Sequence, residues 1–340
     1  MTSPPPRHTR RSFLAGVGAA GLGLGLAACG ESDDPASSRK SPASGSFPAR
    51  VPHKYGTTTI ERAPKRVATY GGGDVDTLLA LGITPVLVPD IDPRWKETGG
   101  IGPWSRSRVR GETPVVANLE EIEGEKVAAT RPDLFTAVEY DLKRPDYEKL
   151  SELTPTVPPP KGYEPYTVPW DVMAKQVGAG LGRTADAEKL VKATRDRIAA
   201  AAEANPKFAT SKAVLIDPDD DGGVYVFSEN DVRTRFLRDL GLKMPAEIQK
   251  LFGKQFYAQI SAERLDLLDT ADVLVLVASR KPQTRQLTGS RSYKGLRAVR
   301  EERLVTINDP DLAIAMSYSS VLSTPYQLRE VVPRLRAALA

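Results

Sequence analysis

The chain of 340 residues has one cysteine and two histidines, and both shortages exclude kinds of chemistry. One thiol cannot form an intramolecular disulfide, and metal sites built from several Cys or His ligands have too few ligands to draw on. His53 lies in a polar stretch before the first predicted strand, which is a poor position for a catalytic base. No pair of carboxylates or nucleophile with a base stands out, so we expect neither an enzyme nor a metal site.

An excess of one charge is also missing once the first 28 residues are set aside. They hold Arg7, Arg10 and Arg11 of the 47 basic residues and none of the acidic ones, which leaves 44 basic and 43 acidic residues. A nucleic-acid-binding surface needs a basic excess to neutralise phosphates. We therefore expect no nucleic-acid partner.

The N-terminus has the composition of a secretory signal. Arg10 and Arg11 form a twin-arginine pair, and residues 13–28 form an apolar run of 16 residues rich in Gly, Ala and Leu. The run is shorter than the roughly 20 residues that a transmembrane helix needs. We expect residues 1–28 to be a signal peptide read by the twin-arginine export route.

Cys29 follows Leu26-Ala27-Ala28, and this ending resembles a bacterial lipobox. The resemblance implies cleavage before Cys29 and lipidation of that residue. Fourteen of the next 21 residues are Ser, Pro, Gly or Ala, a composition typical of a flexible linker. We therefore interpret residues 29–50 as a lipidated cysteine with its tether and expect an extracytoplasmic protein anchored to the cell membrane.

The remainder alternates between buried-strand and amphipathic-helix patterns. An apolar strand at 66–70, a helix at 74–81 and a strand at 85–88 predict a βαβ unit and hence a parallel sheet. Residues 184–205 carry one apolar stripe at helical spacing, long enough to join two lobes. We predict an α/β fold of two α/β lobes, 51–183 and 206–340, each with a parallel-rich sheet and flanking helices and joined by this long helix.

Several motifs in this order resemble the solute-binding proteins of bacterial ABC importers, in the iron-siderophore and cobalamin class. They are YGTTTI (55–60), PKRV (64–67), DVDTLLALGITPV (74–86), RPDL (131–134), YEKL (147–150) and LREVVP (328–333). The resemblance implies the helical-backbone type of periplasmic binding protein, with a ferric siderophore held between the lobes and delivered to a permease. We expect a monomer without a cofactor of its own.

The resemblance also implies that an exposed glutamate on each lobe docks onto permease arginines. The matching positions are Glu120 and Glu263. We predict a helix over 118–130 and another over 261–268, which places both residues in a first helical turn. There the helix dipole favours a carboxylate.

The ligand should lie at the carboxyl ends of the strands, where loops rich in aromatic and cationic residues are predicted. A ferric siderophore already coordinates its iron, so it needs Arg donors and aromatic walls rather than metal ligands. The candidate ligand-binding residues are Tyr70, Trp95, Trp104, Arg106, Tyr140, Arg233, Arg280, Arg291 and Tyr318. Two alternatives stay open, a cobalamin or haem receptor of the same class and an exported lipoprotein hydrolase.

Overall fold

A computed structural model describes residues 45–253, 255–278 and 280–340. The twin-arginine pair, Cys29 and the predicted tether up to residue 44 lie outside the described residues. In the described ranges, no helix is both long and apolar enough to span a bilayer. The first strand begins at Ala49, inside the stretch predicted as tether, because Phe47 and Ala49 pack against the hydrophobic core.

The strands form a hairpin and two five-stranded sheets. The hairpin pairs β1 (Ala49–His53) with β2 (Gly56–Ile60). The N-terminal sheet contains β3 (Val67–Thr69), β4 (Leu87–Pro89), β5 (Val115–Ala117), β6 (Leu134–Thr136) and β7 (Thr156–Val157). All five are parallel, in the order β5-β4-β3-β6-β7, as the βαβ pattern predicts.

Helices connect these strands and end the N-terminal lobe. They are α1 (Gly72–Ala80), α2 (Gly124–Ala129), α3 (Arg144–Leu153) and α4 (Trp170–Gly180), with 3-10 helices at Pro93–Thr98 and Arg106–Arg108. The long helix α5 (Thr184–Glu203) follows and joins this lobe to the next one. It buries one stripe, Ala187, Val191, Thr194 and Ile198, as its apolar spacing predicts.

The second sheet is only partly parallel. It contains β8 (Ala213–Pro218), β9 (Val224–Phe227), β10 (Tyr257–Ile260), β11 (Val273–Val277) and β12 (Leu304–Ile307). The order is β10-β9-β8-β11-β12, in which β8, β11 and β12 are parallel while β9 and β10 run antiparallel to their neighbours. The predicted strand pair at 213–227 is confirmed, and edge strand β10 is an addition that no apolar pattern announced.

Among its described residues, the C-terminal lobe contains seven more helices. They are α6 (Val232–Asp239), α7 (Ala246–Gln249), α8 (Lys281–Gly289), α9 (Arg291–Gly295), α10 (Arg297–Arg300), α11 (Pro310–Ser317) and α12 (Ser323–Ala338), with 3-10 helices at Pro206–Thr210 and Ala262–Thr270. Two of them, α8 and α11, occupy the stretches 278–291 and 308–318, which the sequence predicted as cleft loops. Each has a proline in its first two positions, and the fixed φ of proline favours the first helical turn.

One hydrophobic cluster runs through both lobes. It includes Val67 and Leu134 of the first sheet, Val191 of α5, and Leu215 and Val275 of the second sheet. The outer face of each sheet packs against its own helices in a separate cluster. Because the inner core is continuous across the connecting helix, the lobes share buried apolar surface as well as a covalent link.

The helix predicted over 118–130 is wrong in its first half. The Asn118 side chain accepts a hydrogen bond from the Glu120 N–H (2.8 Å), and the Glu123 carboxylate accepts one from the Asn118 N–H (2.7 Å). These local bonds hold residues 118–123 in a turn, an alternative that Asn offers the backbone. The helix therefore begins only at Gly124.

Candidate ligand-binding cleft

The lobes approach each other closely at the N-terminus of α1, where the chain has three glycines. A Cβ on Gly72 would lie 2.5 Å from the Tyr318 ring of the other lobe, and one on Gly73 would lie 2.8 Å from the Glu139 carboxylate. Any larger residue would push these groups apart. The glycines thus let Tyr318 and Glu139 lie beside the backbone at the base of the cleft.

Three buried acids, Asp74, Asp76 and Glu139, lie near the N-terminus of α1. Asp74 accepts hydrogen bonds from the N–H groups of Val138 (2.8 Å) and Glu139 (3.2 Å), which ties α1 to the end of β6. Burial raises the pKa of Asp74 and of Asp76 to about 6. Burial also raises the pKa of Glu139 well above its ordinary value, which favours its neutral form. Of these three acids, Glu139 is therefore held neutral at physiological pH, whereas Asp74 and Asp76 are mostly ionised there.

Tyr318 lies between groups of both lobes. Burial raises the pKa of Tyr318 to about 12, with Glu139 and Tyr166 adding to the rise and Arg233 opposing it. The phenol therefore stays protonated at physiological pH and keeps an O–H donor at the base of the cleft. Its neighbours are a carboxyl group, a second phenol and a guanidinium, all of which can bond to an oxygen-rich ligand.

Arg233, in the first turn of α6, is held in one geometry. Its Nε and Nη2 donate to the Asp231 carboxylate (2.9 and 2.8 Å), and its guanidinium carbon lies 3.7 Å from the centre of the Phe227 ring. The fork has five N–H donors, so the pairing with Asp231 leaves about three for another acceptor. A rigid, partly free guanidinium is suited to anionic or carbonyl oxygens.

Arg280 and Arg233 both lie near Asp217 of β8. Arg280 pairs with Asp217 (3.7 Å) and Asp220 (3.4 Å), and its guanidinium lies 5.9 Å from the Tyr225 ring centre. Burial raises the pKa of Asp217, although both arginines oppose the rise. The C-terminal wall thus combines two guanidiniums with the three carboxyl groups that they contact, Asp231, Asp217 and Asp220.

Aromatic side chains line the mouth of the cleft from both lobes. Tyr163 and Tyr166 belong to the segment between β7 and α4, and their exposed fractions are 37% and 51%. Phe256 and Tyr257, 37% and 42% exposed, lie at the start of β10 with ring centres 5.1 Å apart. A groove of about 670 Å³ separates the first segment from Phe256. That volume is typical of small-molecule sites.

Similarity to known proteins identifies the family. Residues 67–310 match the periplasmic binding protein family. The chain belongs to this family. The periplasmic solute binding protein of Mycobacterium smegmatis str. MC2 155 is 31% identical, with a TM-score of 0.76 over 86% of this chain and 99% of that one.

Two further relatives have informative names. Streptococcus pneumoniae TIGR4 PiaA, solved in complex with ferrichrome, is 25% identical with a TM-score of 0.74 over 86% of this chain and 98% of its own. Bacillus subtilis (strain 168) YhfQ, named as an ABC transporter substrate-binding lipoprotein, is 29% identical over 194 residues. That alignment covers 57% of this chain and 57% of YhfQ, so it spans little more than half of that relative.

The structure of this periplasmic binding protein brings together three of the nine predicted ligand residues. Arg233, Arg280 and Tyr318 lie in the cleft described above. Tyr70 and Tyr140 lie in the core of the N-terminal lobe, with ring centres 5.6 Å apart. The Tyr140 hydroxyl donates to the Leu119 carbonyl (3.2 Å), and the Tyr70 hydroxyl accepts from the Glu123 N–H (3.2 Å). Both phenols are occupied by the backbone of residues 119–123.

Trp95 and Trp104 link the two lobes instead of lining the groove. The Trp104 indole donates to buried Asp76 (2.7 Å) and stacks on Tyr326 of α12, with ring centres 5.8 Å apart. The Trp95 indole donates to Asp311 of α11 (3.1 Å), and its ring packs edge-on against Trp104. We call this pair the tryptophan clasp.

Arg106 and Arg291 lie away from the cleft residues. The Arg106 Nε donates to the Ile101 carbonyl (3.1 Å) within its own loop. Arg291 begins α9, which packs against the 3-10 helix at Ala262–Thr270. Tyr163, Tyr166, Phe256 and Tyr257 were not among the predicted ligand residues. The signal for the two tyrosines was their position after β7, since that strand also ends at the cleft edge.

The two predicted docking glutamates are exposed, one on each lobe. Glu263 lies in the first turn of the 3-10 helix at Ala262–Thr270, where backbone and Ser261 hydrogen bonds lower its pKa. Glu120 does not lie in a helix, because the turn at Asn118 displaces the start of α2. The docking role of both residues stays a prediction.

Proposed function

We propose that this chain is a lipid-anchored, extracytoplasmic receptor that captures a ferric siderophore between its lobes and delivers it to an ABC importer permease. The proposal rests on one observation above all. Arg235 lines a groove of about 670 Å³ together with exposed aromatic rings of both lobes, those of Tyr163 and Tyr166 on one side and Phe256 on the other. Such a site suits a bulky ligand with a flat apolar surface and many oxygen acceptors.

The residues of the cleft suit a ligand that already coordinates its metal. Among the described residues, no group of three or more His, Cys, Asp or Glu side chains could hold a metal ion. Family membership and the ferrichrome bound to the pneumococcal relative support the same ligand class. We infer a monomeric receptor, since each lobe contributes to one cleft within a single chain.

Haem is the less favoured ligand of the same class. A tyrosine axial ligand would bind iron as phenolate, and burial raises the pKa of Tyr318 to about 12. Tyr166 is exposed, but burial of its hydroxyl region also raises its pKa, with Asp141 adding to the rise. Both shifts oppose the phenolate that haem iron would need.

Ligand titration tests the proposal. We expect the Cys29→Ser chain to bind at least one of ferrichrome, a ferric ferrioxamine and a ferric catecholate with micromolar affinity or better, measured by calorimetry. Arg233→Gln should weaken that binding about 10- to 100-fold, the worth of a charge-assisted hydrogen bond. Arg297→Gln, outside the cleft, is the control. Tight binding of cobalamin or haem without any response to ferric chelates would disprove the proposal.

The anchor and the docking surface have separate tests. Cys29→Ser should move the protein from the membrane fraction to the soluble extracytoplasmic fraction and leave ligand affinity unchanged.

Reversing both docking charges, Glu120→Lys with Glu263→Lys, should abolish uptake of labelled iron chelate while affinity changes less than twofold. Uptake that survives the double reversal would remove the docking role from these two residues.

A further inference from the structure

Two arginines on α6 differ in how their charges are satisfied. Arg233 pairs with Asp231, whereas Arg235 has no carboxylate within salt-bridge distance among the described residues. The Arg235 Nη2 donates only to backbone carbonyls, those of Asn230 (2.8 Å) and Thr167 (3.3 Å). Its Nη1 is buried and has no hydrogen-bond acceptor among the described residues.

This arrangement is costly for the protein alone. Arg235 is only 7% exposed, and burial followed by the nearby charge of Arg238 lowers its pKa. Guanidinium nevertheless stays protonated in proteins, so the side chain remains a cation without a counter-ion. A buried charge that lacks a partner destabilises the protein, and an anion that reaches it relieves the penalty.

Arg235 lies where such an anion could arrive. It lines the groove of about 670 Å³ together with Tyr163 and Tyr166, and it also lines a neighbouring groove of about 540 Å³ beside Trp170. Two other arginines line the second groove, and each is already paired, Arg195 with Asp171 and Arg238 with Asp239. Of these three arginines, Arg235 is the one without a carboxylate partner among the described residues.

We propose that Arg235 is a specificity-determining residue of the cleft that pairs with a carboxylate at the periphery of the cargo. The inference rests on the proposed function and narrows it to ferric chelates that carry a free carboxylate. A planar carboxylate matches the guanidinium fork, and it would meet a cation whose desolvation is already complete. The weak 3.3 Å bond to the Thr167 carbonyl is the contact that an arriving carboxylate would replace.

A matched pair of ligands isolates the carboxylate. Ferric ferrioxamine B acylated on its amine with a succinyl group carries one carboxylate, whereas the acetylated compound is neutral at the same position. We expect the Cys29→Ser chain to bind the succinyl compound at least tenfold more tightly than the acetyl compound, measured by calorimetry. Arg235→Gln should reduce this preference to less than twofold by weakening the succinyl compound alone.

Two further variants separate recognition from folding. Arg235→Lys keeps the charge without the fork and should retain part of the preference, so it covers the case in which Arg235→Gln does not fold. Arg297→Gln removes another arginine that donates to a backbone carbonyl, that of Ala271 (2.8 Å), and should keep the full preference. Circular dichroism melts of all variants without ligand report on folding.

The outcomes distinguish this inference from the proposed function. Equal binding of both compounds by the Cys29→Ser chain would overturn the role of Arg235 alone. An undiminished preference in Arg235→Gln, or in Arg235→Lys where Arg235→Gln does not fold, would do the same. Absence of binding to either compound and to every other ferric chelate would overturn the proposed function as well.

Discussion

Two aromatic regions of this protein look alike in sequence and differ in the structure. The tryptophan clasp belongs to the loop after β4, and the exposed tyrosines Tyr163 and Tyr166 belong to the segment after β7. In the clasp, both indole N–H groups have acceptors in buried or half-buried carboxylates, 2.7 and 3.1 Å away. The two tyrosines are 37% and 51% exposed.

Structural aromatic residues can therefore be separated from candidate binding residues by whether their interactions within the protein are complete. A ring whose polar atom is satisfied and whose faces are covered already has its interactions within the protein. A ring that is exposed at the edge of a groove can still contact a ligand. Tyr166 is also held at a φ of 61°, in the left-handed region that non-glycine residues rarely adopt. We interpret this strained conformation as support for the proposed contact between Tyr166 and the ligand.

The largest effect should come from opening the clasp. Trp104→Ala removes the stack on Tyr326, the edge contact with Trp95 and the donor to Asp76. We expect the free energy of unfolding to fall by about 3–5 kcal/mol, as for other large-to-small changes of a packed aromatic residue. Urea denaturation measures it, with Tyr166→Ala as the control that should change stability by less than about 0.5 kcal/mol.

Ligand binding by Trp104→Ala tests whether Trp104 is a structural residue or a ligand residue. Under conditions in which Trp104→Ala remains folded, its affinity for a ferric chelate should change less than threefold. A loss of affinity above tenfold with unchanged stability would make Trp104 a ligand residue, as the sequence predicted.

The second-largest effect concerns Asp76, whose carboxylate accepts the hydrogen bond from Trp104. Burial raises the pKa of Asp76 to about 6, so the folded state holds its proton at a pH where the unfolded state has lost it. The protein should therefore be more stable at pH 4 than at pH 6 as far as this group is concerned, by about 2–3 kcal/mol. Stability is lost as the pH rises through this window.

Asp76→Asn should remove this part of the pH dependence, because the amide does not titrate and its oxygen can still accept from Trp104 and Ser320. Urea denaturation of both proteins from pH 4 to pH 7 measures the difference in slope. Asp74 has a similar pKa and keeps its own share of the slope in both proteins. Identical slopes would mean that Asp76 does not titrate in this range.

The smallest effect should come from the exposed tyrosine. Tyr166→Ala should weaken binding of the best ferric chelate about tenfold, in keeping with the loss of one aromatic wall. Tyr166→Gly should weaken binding similarly and stabilise the free protein by about 1 kcal/mol, because glycine adopts the left-handed conformation without strain. Calorimetry and thermal melts measure the two effects, and full affinity in both variants would remove Tyr166 from the site.

The sequence was sufficient to predict the architecture. Apolar spacing predicted the βαβ unit, the strand pair at 213–227 and the connecting helix, because these patterns depend on burial along a short stretch of chain. It failed at 118–123, where side-chain to backbone bonds compete with a helix. It also failed at β10, an edge strand whose exposed Tyr257 breaks the apolar pattern.

The candidate binding residues, like the architecture, could be predicted only in part from the sequence. Two α/β lobes, a connecting helix and a supply of arginine and aromatic residues at the ends of strands could be predicted from the amino-acid sequence. Which of these side chains already have partners within the protein becomes known from the folded structure alone. Trp104 meets Asp76, 28 positions away, and Trp95 meets Asp311, 216 positions away, whereas Arg235 meets no carboxylate among the described residues. A partner brought near by folding leaves no local pattern in the chain, so capacity left for a ligand becomes visible only in three dimensions.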